Sequence, residues 1–203
     1  MSHSCMTLSQ VKQFLPEAKI INAPSTEILI KRFVSDSRQV AQGDCFIAIR
    51  GEKFDAHDFL TEVQGKGASI ALVSSVEQLP NGFCGILVKD TILALQDLAR
   101  AWQEECKSHQ LKNLIVVTGS NGKTTVKGMI QSIINAAVGD NHALATQGNF
   151  NNEIGLPLTL LRLTTQHELA VIELGMNHPG ETSLLAGIAN ANIALINNAQ
   201  REH

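Results

Sequence analysis

The chain reads as short apolar runs set between longer polar or amphipathic stretches. Runs at 28–34, 45–49, 70–73 and 85–88 are each bounded by Gly, Pro or polar residues and predict strands. A helix is expected over 57–64, stopped by Gly65 and Gly67. Ile92, Leu95, Leu98, Ala99 and Trp102 recur at three- and four-residue steps, which predicts a helix from about 92 to 107 with one apolar stripe. Asp90 or Thr91 stands where its cap belongs. Trp102, the only tryptophan, falls on the stripe and is expected to pack there.

A polar stretch over 107–113 then precedes a very apolar strand at 114–117. A domain boundary is placed there, giving one domain over 1–110 and a second over 111–203. After it the pattern predicts a helix over 123–137, a loop rich in Asn and Gly over 146–155 and a short helix over 158–163. A buried strand follows at 169–173, then a helix near 182–189 and a last strand at 193–196. The runs at 156–163 and 193–196 read as core, with no chemistry assigned. Nearly wholly apolar strands alternating with helices define an α/β chain with a parallel sheet covered on both faces.

Composition narrows the function. With 203 residues, 44% hydrophobic and 17% charged, the chain can bury a core of one or two domains and is not a disordered segment. The net charge of -3 gives no global basic field for nucleic acid. Cys5, Cys45, Cys84 and Cys106 are far apart and form no CxxC pair, which argues against a disulfide scaffold or structural zinc and fits a reducing cytoplasm. No run approaches the ~18 apolar residues of a membrane span. The first residues lack the charged start and apolar run of a signal peptide.

The strongest local signal is Leu-Ile-Val-Val-Thr-Gly-Ser-Asn-Gly-Lys-Thr-Thr over 114–125. A buried strand runs into a glycine turn and then into a helix that begins Lys-Thr-Thr. Gly119 and Gly122 let the backbone curl with its N–H groups inward. The helix start offers unpaired N–H groups and a positive dipole end to an anion. Lys123 can reach the terminal phosphates of a nucleotide, and Thr124 can bind magnesium through its hydroxyl. The spacing is shortened: only two residues separate the glycines, and Val117 stands where the common loop has its first Gly. The plain alternative is a Gly-Asn-Gly turn with a solvated lysine.

Together with three other stretches, Thr118–Thr125 resembles the Mur ligase family. The first is Asp36-Ser-Arg38 with the segment 43–59, Gly-Asp-Cys-Phe-Ile-Ala-Ile-Arg-Gly-Glu-Lys-Phe-Asp-Ala-His-Asp-Phe, which is similar to the family's UDP-sugar domain. The others are Gly-Asn-Phe-Asn-Asn-Glu-Ile-Gly-Leu-Pro-Leu-Thr-Leu-Leu at 148–161 and Val-Ile-Glu-Leu-Gly-Met-Asn-His-Pro-Gly-Glu at 171–181, similar to its central ATPase domain. Within the family, the likeness is to the members that join D-alanyl-D-alanine to UDP-MurNAc-tripeptide. The resemblance implies a cytoplasmic, ATP- and Mg2+-dependent ligase of peptidoglycan precursors, monomeric at full length, that works through an acyl phosphate.

It also implies roles for individual residues. Gly119, Ser120, Asn121, Gly122, Lys123, Thr124 and Thr125 would hold the ATP phosphates, with Thr124 on the first magnesium. Glu173 would be a metal-ligating carboxylate, against the alternative of a strand-end cap. Asn149 and Asn152 would face the muramoyl peptide, against ordinary turn chemistry. Asp36, Ser37 and Arg38 would contact the uridine diphosphate, against a simple loop brace. Phe54, Asp55 and His57 belong near the same pocket, with His57 a weak candidate. His178 can approach the metal site or face solvent. His203 would bind the second magnesium, and as the last residue it is expected to be poorly pre-organised.

The family's metal-bridging lysine, adenine-binding residues and third domain have no counterpart here. The expectation is therefore an N-terminal part of the ligase that does not ligate by itself. Three alternatives stay open: a non-catalytic UDP-sugar-binding or nucleotide-binding module, another Mur-type or folylpolyglutamate-type ligase, and a generic P-loop NTPase with an unrelated first domain.

Overall fold

In the computed structural model, residues 6–24, 27–52, 54–176 and 180–200 are described. They fall into two units that divide between Leu98 and Ala99. The division lies inside a long helix, upstream of the polar stretch 107–113 at which the apolar pattern placed it.

In the first unit, β1 (Met6–Thr7) runs into α1 (Leu8–Phe14) through a reciprocal cap. The Gln10 N–H donates to Thr7 Oγ1 at 3.2 Å, and the Thr7 N–H donates to Gln10 Oε1 at 2.9 Å. The apolar pattern gave no sign of this start or of β2 (Lys19–Ile21), because α1 buries only Leu8 and Val11. β3 (Leu29–Ile30) pairs antiparallel with β1, whereas β4 (Phe33–Val34) pairs parallel with β5 (Cys45–Ile47). The single strand expected over 28–34 is therefore two strands in two sheets. Between them the Lys31 N–H donates to Gly43 O at 2.9 Å, and Arg32 O accepts from the Cys45 N–H at 2.8 Å.

The helix expected over 57–64 begins as a 3-10 turn over Ala56–Phe59 and continues as α2 (Leu60–Gly65). β6 (Ile70–Val73) and β7 (Gly85–Leu87) complete a sheet of order β2-β7-β6-β5-β4, parallel except at β2. All four residues of β6 are buried, as a strand covered on both faces requires. Phe46, Leu60, Val63, Val73 and Phe83 share one core cluster. In α3 (Thr91–His109) the cap is Asp90, whose Oδ1 accepts from the Ile92 and Leu93 N–H groups at 2.8 and 2.9 Å.

The second unit carries β8 (Asn113–Thr118), α4 (Lys123–Val138), β9 (Ala143–Ala145), α5 (Gly155–Leu160), β10 (Leu169–Glu173), α6 (Glu181–Ala189) and β11 (Ile193–Ile196). Its sheet is parallel throughout, in the order β11-β8-β10-β9. Val117, Ile134, Ala145 and Val171 form one core cluster. Trp102 is buried as expected, and its indole N–H donates to Leu163 O at 2.9 Å.

Two expectations change in this unit. α5 starts at Gly155 rather than 158, because Asn152 Oδ1 accepts from the Gly155 and Ile154 N–H groups at 2.8 and 3.3 Å. The run 193–196 forms a strand as expected but is not core: all four residues of β11 are exposed, Ile196 at 69%. Among the described residues β11 is the outermost strand beside β8, and an apolar run does not encode which elements cover its faces. Among the described residues no helix is long and apolar enough to cross a membrane.

Candidate functional site

In the parallel sheet the chain leaves β8, β10 and β11 from one edge, because Glu173 pairs with Val117 and Ile196 with Thr118. Open α/β sheets bind ligands outside such carboxyl ends. The loop after β8 turns through Gly119 at φ +142° and Gly122 at φ +75°, conformations that side-chain-bearing residues rarely adopt. α4 begins at Lys123, so its first N–H groups lack intrahelical acceptors. Lys123 folds back over the loop, with Nζ 2.7 Å from Gly119 O and 3.3 Å from Ser120 O. Thr124 and Thr125 are exposed at the helix start.

Glu173 ends β10 beneath this loop, buried at 3% exposure. Its Oε2 accepts from the Thr124 hydroxyl at 2.9 Å, and its Oε1 accepts from Asn151 Nδ2 at 2.9 Å. The Glu173 N–H donates to the buried Thr146 Oγ1 at 2.9 Å, which fixes the strand end. Among the described residues no Lys, Arg or His forms an ion pair with Glu173. A hydroxyl and a carboxylate oxygen are hard donors that suit magnesium, so the pair Thr124 and Glu173 fits that ion. No group of three or more His, Cys, Asp or Glu side chains suited to a metal occurs among the described residues. His178 and His203 lie outside the described residues.

Of the Asn-rich loop, the structure brings Asn151, which the sequence reading did not single out, against Glu173. Its main-chain oxygen also accepts from the Gly175 N–H at 2.7 Å, tying the loop to the turn after β10. In a run of Asn-Phe-Asn-Asn nothing local marks which Asn meets a strand end many residues away. Asn152 bonds the Gly155 N–H in the turn ahead of α5, the turn role held open for it, and Asn149 is exposed.

The first unit places its candidates differently. Asp36 and Arg38 pair with each other, with Nε to Oδ1 at 2.9 Å and Nη2 to Oδ2 at 2.8 Å. Arg38 is 85% exposed in its side chain. The Arg38 side chain, and then its N–H, hold the Asp36 carboxyl well below the usual carboxylate range. Ser37 O accepts from Lys66 Nζ at 3.0 Å. This arrangement braces a loop.

His57 is buried. Its Nδ1 lies 2.6 Å from Asp55 Oδ1, and its Nε2 accepts from the Ser74 N–H at 3.0 Å. The Ser74 donor assigns the ring proton to Nδ1. Phe54 is exposed and packs on Phe59 at a 5.6 Å centroid distance.

Residues 117–203 match the Mur ligase middle domain. Over 201 residues the chain is 41% identical to the UDP-N-acetylmuramoyl-tripeptide--D-alanyl-D-alanine ligase of Haemophilus influenzae, covering 98% of this chain and 42% of that protein. A crystal structure of MurF from Acinetobacter baumannii superposes with a TM-score of 0.88 at 34% identity, covering all of this chain (100%) and 42% of the other. MurF ligase from Thermotoga maritima, solved in complex with ADP, gives a TM-score of 0.68 at 32% identity over 82% of this chain and 37% of that one. The chain thus spans about 42% of the length of the Haemophilus protein.

Proposed function

Starting from a chain that is related to the Mur ligases and carries their middle-domain sequence over 117–203, we propose that it supplies two parts of one enzyme. Residues 1–110 take the UDP-precursor part, and residues 111–203 the first part of the ATP-binding domain. The enzyme joins D-alanyl-D-alanine to UDP-MurNAc-tripeptide in the cytoplasm, as a monomer, in peptidoglycan precursor synthesis. The observation that carries the reading is the buried Glu173 carboxylate bonded to Thr124, next to the loop lysine.

In this reading the precursor's carboxylate takes the γ-phosphoryl group of ATP, releasing ADP, and the amine of D-alanyl-D-alanine attacks the acyl phosphate with loss of phosphate. Two anions must meet, so positive charge has to be fixed where they do. Lys123 rests on two main-chain carbonyls and can exchange them for phosphate oxygens, which are stronger acceptors. Thr124 and Glu173 would hold magnesium, with His203 on a second ion; bound magnesium neutralises charge on the transferring group. Asn151 keeps the Glu173 carboxylate aimed at Thr124. Asn149 and the amide donors of Asn152 serve the muramoyl peptide, and Asp36, Ser37 and Arg38 the uridine diphosphate.

The test uses a full-length polypeptide carrying these residues. With UDP-MurNAc-tripeptide, Mg-ATP and D-alanyl-D-alanine it should release phosphate and form the pentapeptide product. Preference for a single amino acid as acceptor would overturn the reading.

A further inference from the structure

The segment that follows β11 lies along the phosphate loop. The sheet delivers it there: β11 runs parallel to β8 with Ile196 opposite Thr118, and the Asn197 N–H donates to Thr118 O at 2.9 Å. Beyond that point the two chains exchange side-chain and main-chain bonds. The Ser120 N–H donates to Asn198 O at 3.2 Å, and the Asn121 N–H donates to Asn198 Oδ1 at 3.0 Å. Asn121 O accepts from Asn197 Nδ2 at 2.7 Å and from Asn198 Nδ2 at 2.9 Å. The Ser120 hydroxyl donates to Gln200 O and accepts from the Gln200 N–H, both at 2.9 Å.

The glycines are fitted to the same contact. A Cβ on Gly119 would stand 3.0 Å from both Asn198 N and Asn198 O. One on Gly122 would stand 2.8 Å from Asn197 Nδ2. Each glycine therefore answers two demands at once, a left-handed backbone and the close passage of the second segment.

This has a consequence for phosphate recognition. A glycine loop usually presents its successive N–H groups to an anion. Here the N–H groups of Ser120 and Asn121 are already bonded within the chain. Toward the start of α4, the N–H groups of residues 122–125 and the Lys123 ammonium remain as donors for an anion.

We propose that residues 197–200 are a strap that fixes the phosphate loop in its binding shape before nucleotide arrives. Asn197 and Asn198 are its positioning residues, and phosphate is read by residues 122–125 alone. The proposal rests on the nucleotide reading of this loop given above. Its physical basis is pre-organisation: a loop already held by a second segment loses less freedom on binding.

The experiment follows the backbone amides of a full-length polypeptide carrying these residues by NMR, free and with Mg-ATP. The Ser120 and Asn121 amides should be protected from exchange in the free chain and unchanged by Mg-ATP. Shift changes should fall on Gly122, Lys123, Thr124 and Thr125. Asn198→Ala should lower protection at Asn121 at least tenfold and weaken Mg-ATP binding about tenfold. Asn198→Asp keeps the acceptor oxygen and should restore protection at Asn121. Far-UV circular dichroism and exchange at the β10 amides check that each variant is folded. Free exchange of Ser120 and Asn121 in the wild-type chain, or protection gained only with Mg-ATP, overturns the strap. So does a folded Asn198→Ala that binds Mg-ATP as the wild type does. If Mg-ATP shifts no amide at 122–125, the nucleotide reading fails, while exchange in the free chain still decides whether the strap exists.

Discussion

The uridine-diphosphate candidates of the first unit and the phosphate-loop candidates of the second carry similar residue types, yet they are built in opposite ways. Asp36 and Arg38 are two positions apart and satisfy each other. Thr124 and Glu173 are 49 positions apart, Asn151 and Glu173 are 22 apart, and Asn121 and Asn198 are 77 apart. Local pairing costs little chain entropy and arises in many exposed loops. Convergence of distant polar groups on one buried carboxylate must be held by the whole sheet, and so is far better evidence of a site. The contrast teaches that residue type alone ranks the two regions equally, while sequence separation ranks them apart.

Substitutions can break that comparison. The largest effect is expected for Lys123→Ala in a full-length ligase carrying these residues. Loss of one charge-stabilising donor should lower turnover roughly 10²–10³-fold, read as phosphate release under saturating substrates. A turnover within threefold of wild type would reduce the loop to a plain glycine turn.

Next comes Asp44→Ala, which tests the first unit's own convergent carboxylate. Asp44 is 1% exposed and accepts from Arg32 Nε at 3.0 Å and from the Ala41 N–H at 2.9 Å. Losing charge-assisted bonds of this kind should cost about 1.5–3 kcal/mol, measured by urea unfolding of the chain. A loss as small as that of an exposed pair would place Asp44 with Asp36 rather than with Glu173.

Arg38→Ala sharpens the comparison from the other side. Its exposed pair with Asp36 should contribute under about 1 kcal/mol to stability, so the melting temperature should hardly move. Affinity for the UDP precursor should nonetheless fall about tenfold by calorimetry. Unchanged affinity would leave Asp36 and Arg38 as a loop brace and nothing more.

The smallest effect is a pH dependence. Burial alone would raise the Asp55 carboxyl, but bonds from the His57 N–H, the His57 ring and Arg50 hold it down at about 2, against an ordinary 3.8. A depressed carboxyl contributes stability that is complete above its unfolded value and is lost as pH falls through its folded one. Asp55 should therefore stabilise the fold above about pH 4 and cease to do so near pH 2. Asp55→Asn should flatten the acid limb of the unfolding curve in that window, and an unchanged limb would show that other carboxyls set it.

Much of this protein is legible in its sequence because the signals are local. The strands 70–73, 169–173 and 193–196 and the helix at Lys123 follow from apolar runs and their punctuation, since period and bounding residues act over a few positions. The glycine-lysine loop is readable for the same reason, as strand, turn and helix are contiguous. What escaped is what depends on partners elsewhere. The run 28–34 gave no sign that its halves join different sheets, and α1 and β9 are too short to show a period. Exposure of 193–196 depended on which elements cover the strand's faces, which an apolar run does not encode.

The same division holds at the site. The sequence by itself determined that a glycine turn joins a buried strand to a helix beginning at Lys123 and that Glu173 ends a buried strand. Only the tertiary structure decided that Asn151, rather than its neighbours Asn149 and Asn152, meets Glu173, and that Asn198 accepts from the N–H groups of Ser120 and Asn121 through its O and Oδ1. Side-chain identity is written residue by residue, but which side chains meet is fixed by the register of β8 against β10 and β11, a property of the assembled sheet.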